Sequence, residues 1–226
     1  LALIYLGIFS TGIAWLLRFY ILKHNGLVFQ AQVAYLIPIF GVILGYLILQ
    51  EAITSNWISS QGTFIEKFEE GFANFCGVQY SSGVCNGTVA LHLAMVALGI
   101  GAGDEVIVPN FTMISTALSV CYTGAIPVFV EADPKTWNID VDKIEEKITD
   151  KTKAILVAHI FGNPCDMNAV NEIAQKHDLR TIEDAAEAHG AEYKGLKAGA
   201  LSDIAAFSFY ANKNLTTGEG GMVVTQ

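Results

Sequence analysis

Residues 153–186 read KAILVAHIFGNPCDMNAVNEIAQKHDLRTIEDAA and hold one complete strand–helix–strand unit. Lys153–Ile160 is an apolar run of strand length, Asp166–His177 has helical periodicity, and Arg180–Glu183 is a second short run. A strand without polar alternation is buried on both faces. A helix joining two such strands leaves them parallel, with helices covering the sheet. Outward from this unit the same alternation continues. Further strands are predicted at Glu105–Pro109, Pro127–Glu131 and Ile204–Tyr210, and further helices at Thr88–Leu98, Thr112–Tyr122 and Asp140–Ile148. From Val78 onward no repeat or long linker interrupts the pattern. The reading is an α/β domain with a mostly parallel sheet and helices on both faces, in which ligands sit beyond the carboxyl ends of the strands.

Four features fall at that end. Cys85-Asn86-Gly87-Thr88 precedes the helix VALHLAMVAL, so free backbone N–H groups and the Thr88 hydroxyl face one point. That is an anion site suited to phosphate, although the same residues also read as an ordinary helix cap. Asp184 stands just past a buried strand, and the small residues Ala185 and Ala186 leave room for a ring. A carboxylate there can meet a cationic ring nitrogen, or it can simply serve a turn. The strand IAAFSFY runs into Ala211-Asn212-Lys213-Asn214. Ser208 points away from the apolar face of Phe207 and Phe209. Lys213, in an apolar pocket near another cation, becomes a nucleophile for carbonyls, whereas a solvated lysine is the plain alternative. Gly218-Glu219-Gly220-Gly221 precedes MVVTQ and suits a tight turn that brings backbone near a ligand. The run Gly99-Ile-Gly101-Ala-Gly103 follows a helix and precedes a strand, the reverse of a dinucleotide fingerprint, and reads as a helix C-cap. Together the features supply a phosphate cradle, a carboxylate for a ring nitrogen and an amine for an aldehyde, the three partners that pyridoxal phosphate requires.

Composition divides the chain. Its 226 residues carry a formal net charge of −9 and a mean hydropathy of +0.43. Residues 1–54 hold three charged side chains, Arg18, Lys23 and Glu51, for a net +1, which leaves −10 on the remainder. A net-negative body argues against nucleic acid as the main partner. The cysteines Cys76, Cys85, Cys121 and Cys165 form no C-x-x-C pair, so reduced structural thiols are expected and no metal site. Residues 1–22 contain one charge and residues 27–49 none, and each stretch is long enough to span a hydrocarbon core of ~30 Å. Gly41 and Gly45 permit close helix contact. A transmembrane hairpin over residues 1–54 is expected, followed by a second domain over 55–226 and membrane association through the first. Arg18, Lys23 and His24 at the turn place that turn on the cytoplasmic side and residues after 52 outside, which conflicts with the cytosolic chemistry of the second domain. Two unrelated coding fragments joined near Ser55 would account for this. A parallel sheet ending at Met222–Thr225 is expected to expose that strand as an aggregation-prone edge.

Two resemblances extend these readings. YLGIFSTGIAWLLRFYILKHNG and QAQVAYLIPIFGVILGYLILQEAIT resemble the carboxy-terminal part of an EamA-type transporter of the drug/metabolite superfamily. The resemblance covers two helices of about ten, too few to build a substrate site, so transport is not expected. From about Asn56 onward the chain resembles the DegT/DnrJ/StrS sugar aminotransferases, most nearly the GDP-perosamine-synthase-like members. The stretches that carry this are WISSQGTFIEKFEEGFA, NGTVALHLAMVALGIGAGDEVIVP, GAIPVFVEADPKTWNID, KTKAILVAHIFGNPCDM, IEDAAEAHGAEYKG and FSFYANKNLTTGEGG. The resemblance implies the large domain of a type I pyridoxal-phosphate aminotransferase, with Lys213 bonding the cofactor aldehyde and Asp184 facing its ring nitrogen. It implies phosphate ligands at Ser208 and at Asn86, Gly87 and Thr88. Glu187 falls where the family often has a cofactor-contacting Gln, and Met113 maps to the ring-stacking position, commonly aromatic. Dehydratase members of the family carry His in place of the lysine, so Lys213 implies aminotransfer. The implied reaction moves an amino group from an amino-acid donor, glutamate, to a keto-sugar nucleotide, as in perosamine-type synthesis for surface polysaccharide. The implied assembly is a cytoplasmic homodimer whose second subunit completes the site. A transporter fragment and a catalytically silent, membrane-tethered sugar-binding module are the competing readings.

Overall fold

The computed structural model describes residues 62–226; the hairpin expected over residues 1–54 lies outside them. The chain divides into two units, Leu1–Gly62 and Thr63–Gln226. The second unit runs α1 (Thr63–Cys76), β1 (Tyr80–Val84), α2 (Gly87–Ala97), β2 (Glu105–Pro109), α3 (Ile114–Tyr122), β3 (Ile126–Val130), β4 (Thr152–Ala158), α4 (Met167–Lys176), β5 (Arg180–Asp184), the short pair β6 (Glu192–Tyr193) and β7 (Leu196–Lys197), β8 (Ile204–Ser208) and β9 (Gly221–Thr225). Seven strands form one sheet in the order β1-β9-β8-β5-β4-β2-β3. Strands β3, β2, β4, β5 and β8 are mutually parallel, and β9 runs antiparallel to both its neighbours.

Side-chain alternation explains why the central strands lack a polar face. Ile155 and Val157 of β4, Ala205 and Phe207 of β8 and Met222 and Val224 of β9 enter one core with Phe72 of α1 and Val170 and Ala174 of α4. Their neighbours Ala154, Leu156, Ile204, Ala206 and Val223 enter the other, against Ala90, Leu91, Ala94 and Met95 of α2 and Val120 of α3. Strands β4, β8 and β9 thus feed two helical layers, which is why their side chains are apolar on both faces. The glycine run after α2 is the helix stop expected of it. Gly99 sits at φ 75°, its N–H donates to Val96 O at 3.0 Å, and Ile100 N–H donates to Met95 O at 3.0 Å. This is a Schellman cap with Met95 and Ile100 packed together in the core.

The structure corrects two expectations and adds a strand. Asp140–Ile148 forms two 3-10 turns, Val141–Lys143 and Glu145–Lys147, instead of a helix. Ile144 is its one fully buried anchor, and a single anchor does not sustain an amphipathic α-helix. Strand β1, YSSGV, has no apolar run to announce it and is exposed along most of its length; it exists because β9 pairs with it. Strand β9 is consequently no edge. It lies between β1 and β8, so the edges among the described residues are β1 and β3. The glycine turn before β9 reverses the chain and inserts the strand, and an apolar run alone does not reveal the reversal.

Candidate active site

The carboxyl ends of β4, β5 and β8 meet the amino end of α2 around a cavity of about 450 Å³. Asn86, Gly87, Thr88, Met113, Asp184, Glu187, Ser208 and Lys213 all line it, so the eight residues singled out in the sequence share one space.

The cradle comes from backbone packing. Asn86 caps α2, accepting from Val89 N–H at 2.9 Å on its side chain and from Ala90 N–H at 3.0 Å on its carbonyl. The amides of Gly87 and Thr88 donate to no protein group among the described residues and stand open at the cavity. Glycine is required at two points here. A Cβ on Gly87 would stand 2.7 Å from Ser208 Cβ, and one on Gly221 would stand 2.4 Å from Asn86 O. The first glycine lets the helix start abut the end of β8 and brings the Ser208 hydroxyl beside the open amides. The second shows that the expected close approach of the glycine turn is to the backbone of the cap, one layer behind any ligand.

Asp184 ends β5 at 7 % exposure. Its Oδ2 accepts from Thr116 Oγ1 at 2.7 Å and its Oδ1 from Ala186 N–H at 3.2 Å. Among the described residues it forms no salt bridge. Burial pushes its carboxyl above the usual range, against the pull of those hydrogen bonds and of the charge on Lys213. A carboxylate in this condition gains by meeting a cation. Ala186 lines the cavity as expected, whereas Ala185 is fully buried in the core and does not line it.

The cation expected beside Lys213 is not its partner. Nζ lies 3.2 Å from an anion, Glu187 Oε1, with the two side chains 12 % and 32 % exposed. Glu187 Oε2 accepts from Phe161 N–H at 3.1 Å, and its carbonyl accepts from Asn214 Nδ2 at 3.3 Å. One residue therefore ties the amine to the turn after β4, where Phe161 holds a positive φ of 51°. Met113 precedes α3 at the cavity mouth and is 63 % exposed.

Three neighbours of the site are not singled out by the sequence: Thr116 behind Asp184, His159 after β4, and Phe111 beside Met113. His159 is buried, and Cys165 N–H donates to its Nδ1 at 3.2 Å, so its ring proton sits on Nε2 and is given to Glu183 Oε2 at 2.9 Å. Glu183 also accepts from Gly199 N–H, Leu201 N–H and Ser202 Oγ, which fixes the approach to β8. The available signal is position: His159 follows a buried strand as Asp184 does, and Thr112 and Thr116 are spaced by four.

The arrangement suits a planar phosphorylated aldehyde. Open amides and a hydroxyl would hold the phosphate, an uncompensated carboxylate would meet a ring cation, and an amine stands at the mouth. Comparison with known proteins agrees. The sequence profile of the DegT/DnrJ/EryC1/StrS aminotransferase family matches residues 47–226, and that of the EamA-like transporter family matches residues 1–63. GDP-perosamine synthase of Escherichia coli O157:H7 is 55 % identical over 177 residues, covering 78 % of this chain and 49 % of that protein. Among solved structures, an aminotransferase from Psychrobacter cryohalolentis superposes with a TM-score of 0.76 at 46 % identity, over 78 % of this chain and 45 % of that one. The E. coli GDP-4-keto-6-deoxy-D-mannose-3-dehydratase with bound hydrated PLP superposes with a TM-score of 0.75 at 31 % identity, over 80 % of this chain and 48 % of that one. The chain spans about half the length of the curated relatives it matches.

Proposed function

Because the chain belongs to the DegT/DnrJ/EryC1/StrS aminotransferase family, we propose that its cavity holds pyridoxal phosphate and serves transfer of an amino group from an amino-acid donor, glutamate, to a keto-sugar nucleotide. The family is dependent on that cofactor. The observation that carries the reading is the convergence of Lys213, Asp184 and the Gly87–Thr88 amides on one cavity. When bound, the cofactor supplies the electron sink for a carbanion.

The protein's residues do the rest. Gly87, Thr88 and Ser208 hold the phosphate, and the Asn86 cap fixes the direction of the amides that do so. Asp184 keeps a ring nitrogen protonated by offering it a buried negative charge. Lys213 would hold the cofactor by its aldehyde carbon, whose oxygen would leave as water, and its amine when free would take a proton from the donor carbon and return it; a histidine in its place would not hold the aldehyde. Glu187 receives the free amine 3.2 Å away, so the lysine remains at the mouth of the cavity. Met113 and Phe111, which line the cavity, would cover the aromatic ring.

The polypeptide is read as two parts, a membrane hairpin over residues 1–54 and an aminotransferase part over 55–226 that acts as a homodimer on the cytoplasmic side. The EamA-like match supports the first part, and among the described residues no helix is long and apolar enough to cross a membrane. The test of the function is titration of the chain, alone and extended to the length of its relatives, with pyridoxal phosphate while the visible absorbance is followed. Saturable absorbance that Lys213→Ala abolishes, with phosphate still competing for the site, is the expected result. Equal absorbance in the variant would overturn the proposal.

A further inference from the structure

Asp184 is reached by a chain of two hydroxyls from the start of α3. Thr116 Oγ1 lies 2.7 Å from Asp184 Oδ2, and Thr112 Oγ1 lies 2.8 Å from Thr116 Oγ1. Thr116 is wholly buried, and Thr112 borders the cavity. A hydroxyl has one proton to give, and an ionised carboxylate only accepts. Thr116 therefore donates to Asp184, and Thr112 must donate to Thr116. The order of the chain depends on the charge at its end, because a proton on Oδ2 would reverse both bonds.

The other polar groups facing Asp184 are engaged elsewhere. Lys213 is paired with Glu187, and the ring proton of His159 is given to Glu183. Burial drives the Asp184 carboxyl toward its neutral form, and Thr116 is the strongest influence in the opposite direction. With Oδ2 occupied by Thr116, Oδ1 carries only the longer bond from Ala186 N–H at 3.2 Å and retains acceptor capacity.

We propose that Thr116, with Thr112 behind it, is a positioning residue that keeps Asp184 ionised and turned so that one oxygen remains for a cationic ring nitrogen in the cavity. The inference rests on the proposed function only for the identity of that nitrogen. The effect on Asp184 belongs to the protein alone and is measurable without cofactor.

The test is carboxyl NMR titration of the full chain, cofactor-free and labelled at aspartate, in the wild type and in Thr116→Val, Thr116→Ser and Thr112→Val. Loss of a hydrogen bond to the charged form should raise the proton affinity of Asp184 about tenfold in Thr116→Val. Thr116→Ser should stay within about threefold of the wild type, and Thr112→Val should move in the same direction by less. An unshifted Asp184 in Thr116→Val, or a serine variant displaced as far as the valine variant, would overturn the proposal. If Thr116→Val does not fold, Thr112→Val decides, and no upward movement there overturns it. With pyridoxal phosphate added, the ring-nitrogen NMR shift should report a smaller protonated fraction in Thr116→Val. Failure of the cofactor to bind would count against the proposed function and leave the cofactor-free result standing.

Discussion

Asp184 and Lys213 face the cavity in opposite conditions, the carboxylate without a cation and the amine with an anion beside it. Asp184→Asn keeps the shape and removes the charge. It should slow turnover by the equivalent of ~2.7–4 kcal/mol, as for other preorganised charges, while weakening cofactor binding much less. Steady-state turnover and a cofactor titration, measured side by side, check the split. Gly87→Ala should weaken cofactor binding because its Cβ would stand 2.7 Å from that of Ser208 and push the open amides off the serine hydroxyl. Asp184, Ser208 and Lys213 are legible in the sequence because each stands at or just past the end of an apolar strand, where the fold class itself predicts a site. Thr116 is not, because its partner is 68 positions away and nothing local marks the meeting. The cation expected beside Lys213 comes from the chemistry of lysine nucleophiles and not from any residue. The true neighbour, Glu187, stands in the sequence without a sign that its side chain turns toward the amine.

At the scale of elements, the parallel strands are readable and β1 is not, for one reason: a strand buried on both faces must be apolar, whereas a polar edge strand owes its existence to its partner. Asn86→Ala should cost about 1 kcal/mol through loss of the α2 cap, and chemical denaturation is the measure. His189 tests the aromatic layer under β8. Its ring nitrogens are buried without hydrogen-bond partners among the described residues, and its ring centroid lies 5.3 Å from that of Phe207 and 5.4 Å from that of Phe209. Burial first, and the charge on Lys213 second, push its pKa down to about 4 from 6.5. Between those values the unfolded chain binds a proton that the folded chain refuses. The stability contribution is therefore complete above about pH 6.5 and is lost as pH falls toward about 4. The stability of the wild type relative to His189→Phe should decline over that interval in paired denaturation curves, and a constant difference would contradict the assignment.

For the molecule as a whole, the composition predicts two parts and the comparisons match two families, one over residues 1–63 and one over 47–226. If residues 1–54 insert in a membrane as proposed, carbonate extraction should leave the full chain in the pellet. Residues 56–226 alone should show no lipid dependence, and complete release of the full chain would sink that proposal. The catalytic claim is independent of it. Three lysines follow β5, and their surroundings separate them. Lys197 Nζ donates to Phe75 O at 2.9 Å and sits 4.2 Å above that ring, and Lys194 Nζ sits 4.9 Å above the Tyr193 ring. Lys213 alone of the three lines the cavity. The decisive measurement is borohydride reduction of the chain after incubation with pyridoxal phosphate, with peptide mapping of the labelled lysine. Label at Lys213, abolished by Lys213→Ala, is the predicted result; label at Lys194 or Lys197 in its place would contradict the assignment.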